Sequence, residues 1–180
     1  YGKMGLLTQD LKNIGIEDDD RVFRRDCLEV NLRIGGKMMS VFVCHFKSMG
    51  SSQPDVNGRD YTMPIRIAEA RAVRQIINKK FGSARAHKMR WLICGDLNDY
   101  TQRLAVDGTK ANGYHFQSID EATSGVEPLL VDHYSYDLVR RRDVDDRWTL
   151  YYANGPVEDP VDSDSAKVRQ LVQLDYLLAS

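Results

Sequence analysis

The sequence predicts one domain of the α/β or α+β class over residues 1–180, and three patterns carry that expectation. Leu28, Val30, Leu32 and Ile34 alternate with Cys27, Glu29, Asn31 and Arg33 up to Gly35-Gly36, and a second strand-like run follows over 37–48, so the two read as a hairpin. Ala68, Ala72, Val73, Ile76 and Ile77 recur at helical spacing within 64–81. Trp91-Leu92-Ile93-Cys94 is an apolar run too short for a helix, cut off by Gly95-Asp96-Leu97-Asn98-Asp99, and reads as a strand buried on both faces. Strand, helix and strand in this order form a crossover unit, with the helix covering a sheet.

Composition sets the outer limits. At 180 residues and 42% hydrophobic content the chain is long enough for one real core. A net charge of -1 argues against wholesale nonspecific binding to nucleic acid, while leaving room for a local basic cleft. Cys27, Cys44 and Cys94 sit at no metal-ligand spacing and cannot all pair, so a reducing, cytoplasmic setting is expected. No apolar run reaches the length of a membrane span and no signal-peptide pattern opens the chain, so no transmembrane segment is expected.

Taken in order, 4–7 is a short apolar patch, and Glu17-Asp18-Asp19-Asp20 reads as a solvated loop. Residues 50–57 form a Ser/Gly/Pro/Asn loop at the end of the second strand, a place for substrate contacts. The helix is expected over 64–81, with Pro64 in its first turn and Gly82 as its stop. Residues 100–126 read as irregular, 127–138 as a helix and 148–153 as a strand. The acidic stretch 154–166, with Pro156 and Pro160, reads as a mobile loop without calcium-loop spacing. His87, His115 and His133 are isolated and read as surface or packing residues, and Arg140-Arg141-Arg142 is balanced at once by Asp143, Asp145 and Asp146. The chain closes with a strand over 171–180 whose only charge, Asp175, is costly without a partner.

Two constellations carry candidate chemistry. Asp96 and Asn98, two apart at a strand end, would point into one cleft; the same residues would also serve as an Asp/Asn turn capping a following helix. In the hairpin, a two-residue Gly35-Gly36 loop pairs Leu32 with Met39, Val30 with Val41 and Leu28 with Val43 on one apolar face. Continued, that register sets Asp26 opposite His45, a pair that is either a working carboxylate–imidazole dyad or a structural contact. It also sets Cys27 opposite Cys44 on the other face.

Four ordered motifs together resemble the endonuclease/exonuclease/phosphatase superfamily, which includes deoxyribonuclease I: Phe23-Arg24-Arg25-Asp26, Val43-Cys44-His45-Phe46-Lys47-Ser48, Gly95-Asp96-Leu97-Asn98 and Gln173-Leu174-Asp175-Tyr176-Leu177-Leu178-Ala179-Ser180. The resemblance covers most of the chain from Arg21 onward except 100–147. It implies an α+β, four-layer αββα sandwich, incomplete in this chain, and hydrolysis of phosphoesters with Mg2+ or Mn2+. It further implies that Asp96 and Asn98 position the attacking water and hold the phosphate, that His45 faces the phosphate with Asp26 as its partner, and that Asp175 orients a second histidine. Arg25, Lys47 and Asn98 are implied on the substrate side, and Asp96 as the one metal-ligand candidate. The family's metal-binding Glu, an active-site Asn and the second His have no counterpart between Tyr1 and Ser180, so the chain is expected to be an internal piece of the domain.

The expected function is accordingly that of a metal-dependent phosphodiesterase, most naturally a nuclease acting on nucleic acid. An inositol polyphosphate phosphatase-like or sphingomyelinase-like hydrolase of the same fold is the alternative, and a non-catalytic interaction module is a third reading.

Overall fold

The computed structural model describes residues 9–17, 21–51, 53, 56–106, 114–118, 124–152 and 169–180. The elements are a short helix α1 (Gln9–Asn13), strands β1 (Leu28–Ile34) and β2 (Lys37–Val43), the long helix α2 (Gly58–Phe81), β3 (Trp91–Asp96), β4 (Gln102–Val106), β5 (Tyr114–Ser118), a one-turn helix α3 (Glu127–Leu130), β6 (Tyr136–Asp137), β7 (Leu150–Tyr152), β8 (Arg169–Val172) and β9 (Asp175–Ala179). They form an α+β fold with a five-stranded mixed sheet, in the order β1-β2-β3-β9-β6, and a four-stranded sheet, in the order β5-β4-β8-β7. No helix among the described residues is long and apolar enough to cross a membrane.

The hairpin has the register its apolar alternation predicts, with Leu28 opposite Val43, Val30 opposite Val41 and Leu32 opposite Met39. Gly35 (φ 55°) and Gly36 (φ 76°) both adopt the left-handed conformation that a two-residue turn matched to strand twist requires. From β2 the chain crosses through α2 to β3, which lies parallel to β2, with Val41 beside Leu92 and Val43 beside Cys94. The last strand, β9, runs antiparallel on the far side of β3.

Helix α2 covers one face of this sheet. Val73, Ile76 and Ile77 pack with Phe42, Trp91, Ile93 and Leu178 into the main core. At about 25 cal/mol per Å² of apolar surface removed from water, such packing is the chief stabilising term of the domain. The opposite face is different. Leu28, Leu32 and Val43 are 59%, 39% and 39% exposed, and Val41, Leu92, Cys94 and Leu177 are only half-buried. β3 is therefore buried on its α2 side, through Trp91 and Ile93, rather than on both faces.

Several boundaries depart from the sequence reading. α2 begins at Gly58, not Pro64, because the Asn57 side chain caps it by accepting from the N–H groups of Arg59 and Asp60; Pro64 then lies inside the helix. The segment expected as a helix over 127–138 holds α-helix only at Glu127–Leu130, followed by a distorted 3-10 turn at Val131–His133, since Asp132 (φ 57°) and His133 (φ 52°) are left-handed and break the run. The expected strand 171–180 is two strands: the chain leaves the second sheet after Val172 and enters the first at Asp175. The stretch read as irregular contains the antiparallel pair β4–β5. Residues 4–7 and 154–166 lie outside the described residues.

Candidate active site

The site is built where β2 and β3 run out together. Beyond Val43 the chain keeps to β3, the Cys44 N–H donating to the Cys94 carbonyl at 2.9 Å and the Phe46 N–H to the Asp96 carbonyl at 3.0 Å. Gly95 makes this approach possible. Its φ is +127°, and a Cβ there would stand 2.1 Å from the Cys44 carbonyl oxygen. The glycine of the Gly95-Asp96-Leu97-Asn98 motif is thus fixed by contact between two backbones.

Pleating puts Val41, Val43 and His45 on the face that carries Leu92, Cys94 and Asp96, so His45 arrives beside Asp96. Its Nε2 is 3.9 Å from Asp96 Oδ2, too long for a hydrogen bond yet within reach of charge. Asp175, first residue of β9, is the ladder partner of Asp96 and is exposed on the same edge. Asp96 Oδ1 accepts the Asn98 N–H at 2.8 Å, which closes an Asx turn and accounts for the left-handed Asn98 (φ 52°). Asn98 Nδ2 donates to the Phe46 carbonyl at 3.0 Å, and Arg25 Nη1 donates to the same oxygen at 2.8 Å. His45, Asp96, Asn98, Asp175 and Arg25 are therefore neighbours at one end of one sheet.

The expected Asp26–His45 pair is not formed. The β1–β2 ladder stops at Leu28–Val43. Ahead of it, residues 21–27 turn toward α2, where the Arg24 N–H donates to Glu69 Oε1 at 3.1 Å, while His45 follows β3 to Asp96. Asp26 is exposed. On the other face the Sγ atoms of Cys27 and Cys44 are 3.5 Å apart as free thiols.

Burial pushes the Asp96 carboxyl above its ordinary value; the Asp175 charge adds to this, while the Asn98 N–H, His45 and Arg25 oppose it. Lys47 is shifted downward, chiefly by burial and then by the nearby cations Arg66 and Arg25. Its Nζ donates to the carbonyls of Ser48 (3.0 Å) and Gly50 (3.2 Å) and so holds the start of the following loop.

Three charged residues that support this edge escaped the sequence reading. Asp99 is fully buried and accepts from Arg59 Nε (2.7 Å), Arg66 Nε (2.9 Å) and the Gly125 N–H (2.8 Å). Arg66 and Glu69 are likewise fully buried on α2. The available signal was their position: both fall on the apolar stripe of Ile65, Ala68, Val73 and Ile76, where a charge is tolerated only with a partner.

Among the described residues, no group of three or more His, Cys, Asp or Glu side chains stands in a metal-holding arrangement. Asp96 and Asp175, ladder partners at this edge, carry hard oxygen donors of the kind magnesium or manganese takes. No family model, curated protein or solved structure matches the chain.

Proposed function

We propose that the chain has an endonuclease/exonuclease/phosphatase-type fold, with its two sheets belonging to a four-layer αββα sandwich, and that it works as a magnesium- or manganese-dependent phosphodiesterase on nucleic acid. The observation that carries this reading is the meeting of His45, Asp96, Asn98 and Asp175, drawn from three separate stretches of chain, at one edge of the five-stranded sheet.

Phosphodiester hydrolysis needs an oriented water, charge stabilisation on the phosphorus oxygens and a proton for the leaving oxygen. Asp96, made a stronger base by burial, is suited to orient and accept a proton from the water. The Asn98 amide, held by the Phe46 carbonyl, retains a second N–H to direct at a phosphate oxygen. In this reading His45, exposed at the edge beside Asp96, faces the phosphate and supplies the leaving-group proton. Arg25 and Lys47 flank it as substrate-side cations. A divalent ion at Asp96 and Asp175, when bound, adds neutralisation of the phosphate charge and a more acidic water.

The test is a substrate panel for the full-length protein in magnesium, in manganese and in EDTA: supercoiled plasmid, bis(4-nitrophenyl) phosphate, 4-nitrophenyl phosphate, inositol polyphosphates and sphingomyelin vesicles. Metal-dependent cleavage of plasmid and diester supports the proposal. Turnover of monoesters alone points to the phosphatase alternative, turnover of sphingomyelin alone to the sphingomyelinase-like one, and none in any arm to a binding role.

A further inference from the structure

Glu69 is a fully buried carboxylate to which the reaction assigns no work. Each of its oxygens takes a backbone N–H from a different segment: Oε1 from Arg24 at 3.1 Å and Oε2 from Lys47 at 2.7 Å. Those segments are 23 positions apart in sequence and share no ladder at this point, because pairing between β1 and β2 ends at Leu28–Val43. One turn earlier on α2, Arg66 Nη1 donates to the Lys47 carbonyl at 3.4 Å. The Lys47 backbone is therefore held by one helix through both its N–H and its carbonyl, and Arg66 is itself fixed by Asp99, next in sequence to Asn98.

From this geometry we infer that Glu69 is a positioning residue, which by bridging the Arg24 and Lys47 amides sets the spacing of the Arg25 and Lys47 side chains as a two-cation seat for a phosphate group. The inference rests on the phosphoester reading above and names a residue outside the reacting groups that adjusts it. Arg25 needs such a brace, since residues 21–27 belong to no strand and its own hydrogen bond, to the Phe46 carbonyl, reaches the same short segment that Glu69 holds. Burial pushes the Glu69 carboxyl up to about 7, against the Lys47 and Arg24 N–H groups and the Arg66 and Arg25 charges that draw it down, in keeping with a group placed for its two acceptor oxygens at the cost of desolvation.

The experiment compares the full-length wild type with Glu69→Gln and Glu69→Asp. The first keeps the shape but turns a donor toward one of the two N–H groups; the second keeps the charge but is too short to bridge. Backbone NMR spectra report whether each variant is folded and whether the Arg24 and Lys47 amides move. Affinity for inorganic phosphate and the kinetics on bis(4-nitrophenyl) phosphate are then measured. The expected result is displacement of both amide signals, a loss of phosphate affinity and a rise in KM of about tenfold each, with kcat within about twofold of wild type. Equal phosphate affinity and KM in a folded variant would overturn the inference, as would a wild type that binds no phosphate. If wild type binds phosphate and the variants bind it more weakly but no phosphoester is hydrolysed, the positioning role stands and the catalytic reading fails. Should neither variant fold, the wild type still decides: the Arg24 and Lys47 amide protons must follow one common titration, and independent behaviour refutes the bridge.

Discussion

Asp96 and Asp175 face each other across the last rung of the β3–β9 ladder, two carboxylates at one sheet edge with His45 3.9 Å from the first. Like charges so placed disfavour joint ionisation, and Asp96 already has its carboxyl raised by burial. Replacing Asp175 by Asn removes the repulsion, so the Asp96 pKa should fall. Carboxyl-carbon NMR titration reads this directly. An unchanged Asp96 titration would mean that the two carboxylates do not interact.

Gly95 is held by the backbone around it. In Gly95→Ala the new Cβ would meet the Cys44 carbonyl oxygen at 2.1 Å in a conformation that L-residues rarely adopt. A destabilisation of about 3 kcal/mol or more is expected, measured by denaturant unfolding. Tolerance of alanine would show that β2 and β3 do not approach as closely as described.

The buried Glu69 gives stability a defined pH dependence. In the fold its pKa is pushed up to about 7 from an ordinary 4.5, so between those values the folded state binds more protons than the unfolded chain. Its contribution to stability is then greatest below about 4.5 and declines as pH rises to about 7, by something on the order of 3 kcal/mol. The Glu69→Gln variant lacks this titration. Its stability relative to wild type should therefore improve by about that amount from pH 4.5 to above 7, followed by urea unfolding at each pH. The charged groups around Glu69 are Arg66, Arg25, Arg24 and Lys47. A constant difference would place the Glu69 pKa at its ordinary value.

The open face of the five-stranded sheet predicts association. Leu28, Leu32 and Val43 are exposed there around a half-buried centre at Val41 and Leu92. Several hundred Å² of apolar surface at about 25 cal/mol per Å² is worth several kcal/mol to whatever covers it. The 180-residue polypeptide alone should associate with rising concentration in analytical ultracentrifugation, and Val41→Lys should suppress this. Monomeric behaviour of the unaltered polypeptide at high concentration would argue against an accessible face.

What was legible in the sequence follows from how local the determinants are. The hairpin register could be read because a Gly-Gly turn and an alternating apolar face specify it within 16 residues. Extrapolating it to Asp26 and His45 failed because the hairpin ladder ends where each strand finds a stronger partner: β2 continues along β3, and the segment before β1 is drawn to Glu69. Nothing local in the sequence marks either event. The meeting of His45 with Asp96 depends on a parallel crossover through 24 residues of α2. The start of that helix was misplaced because Pro64 is a strong local signal, whereas the cap that sets the start is the quieter Asn57. Asp99 carries no local signal of its role, because its partners, Arg59 and Arg66, lie more than 30 positions away.

Hydrolysis of bis(4-nitrophenyl) phosphate by the full-length protein in magnesium, set beside Asp96→Asn and His45→Ala, tests whether this sheet edge cleaves phosphodiesters. The expected result is metal-dependent turnover that EDTA abolishes and that each substitution lowers by about 100-fold or more, with folding intact by circular dichroism. Turnover unaffected by either substitution, or none in any metal, would contradict it.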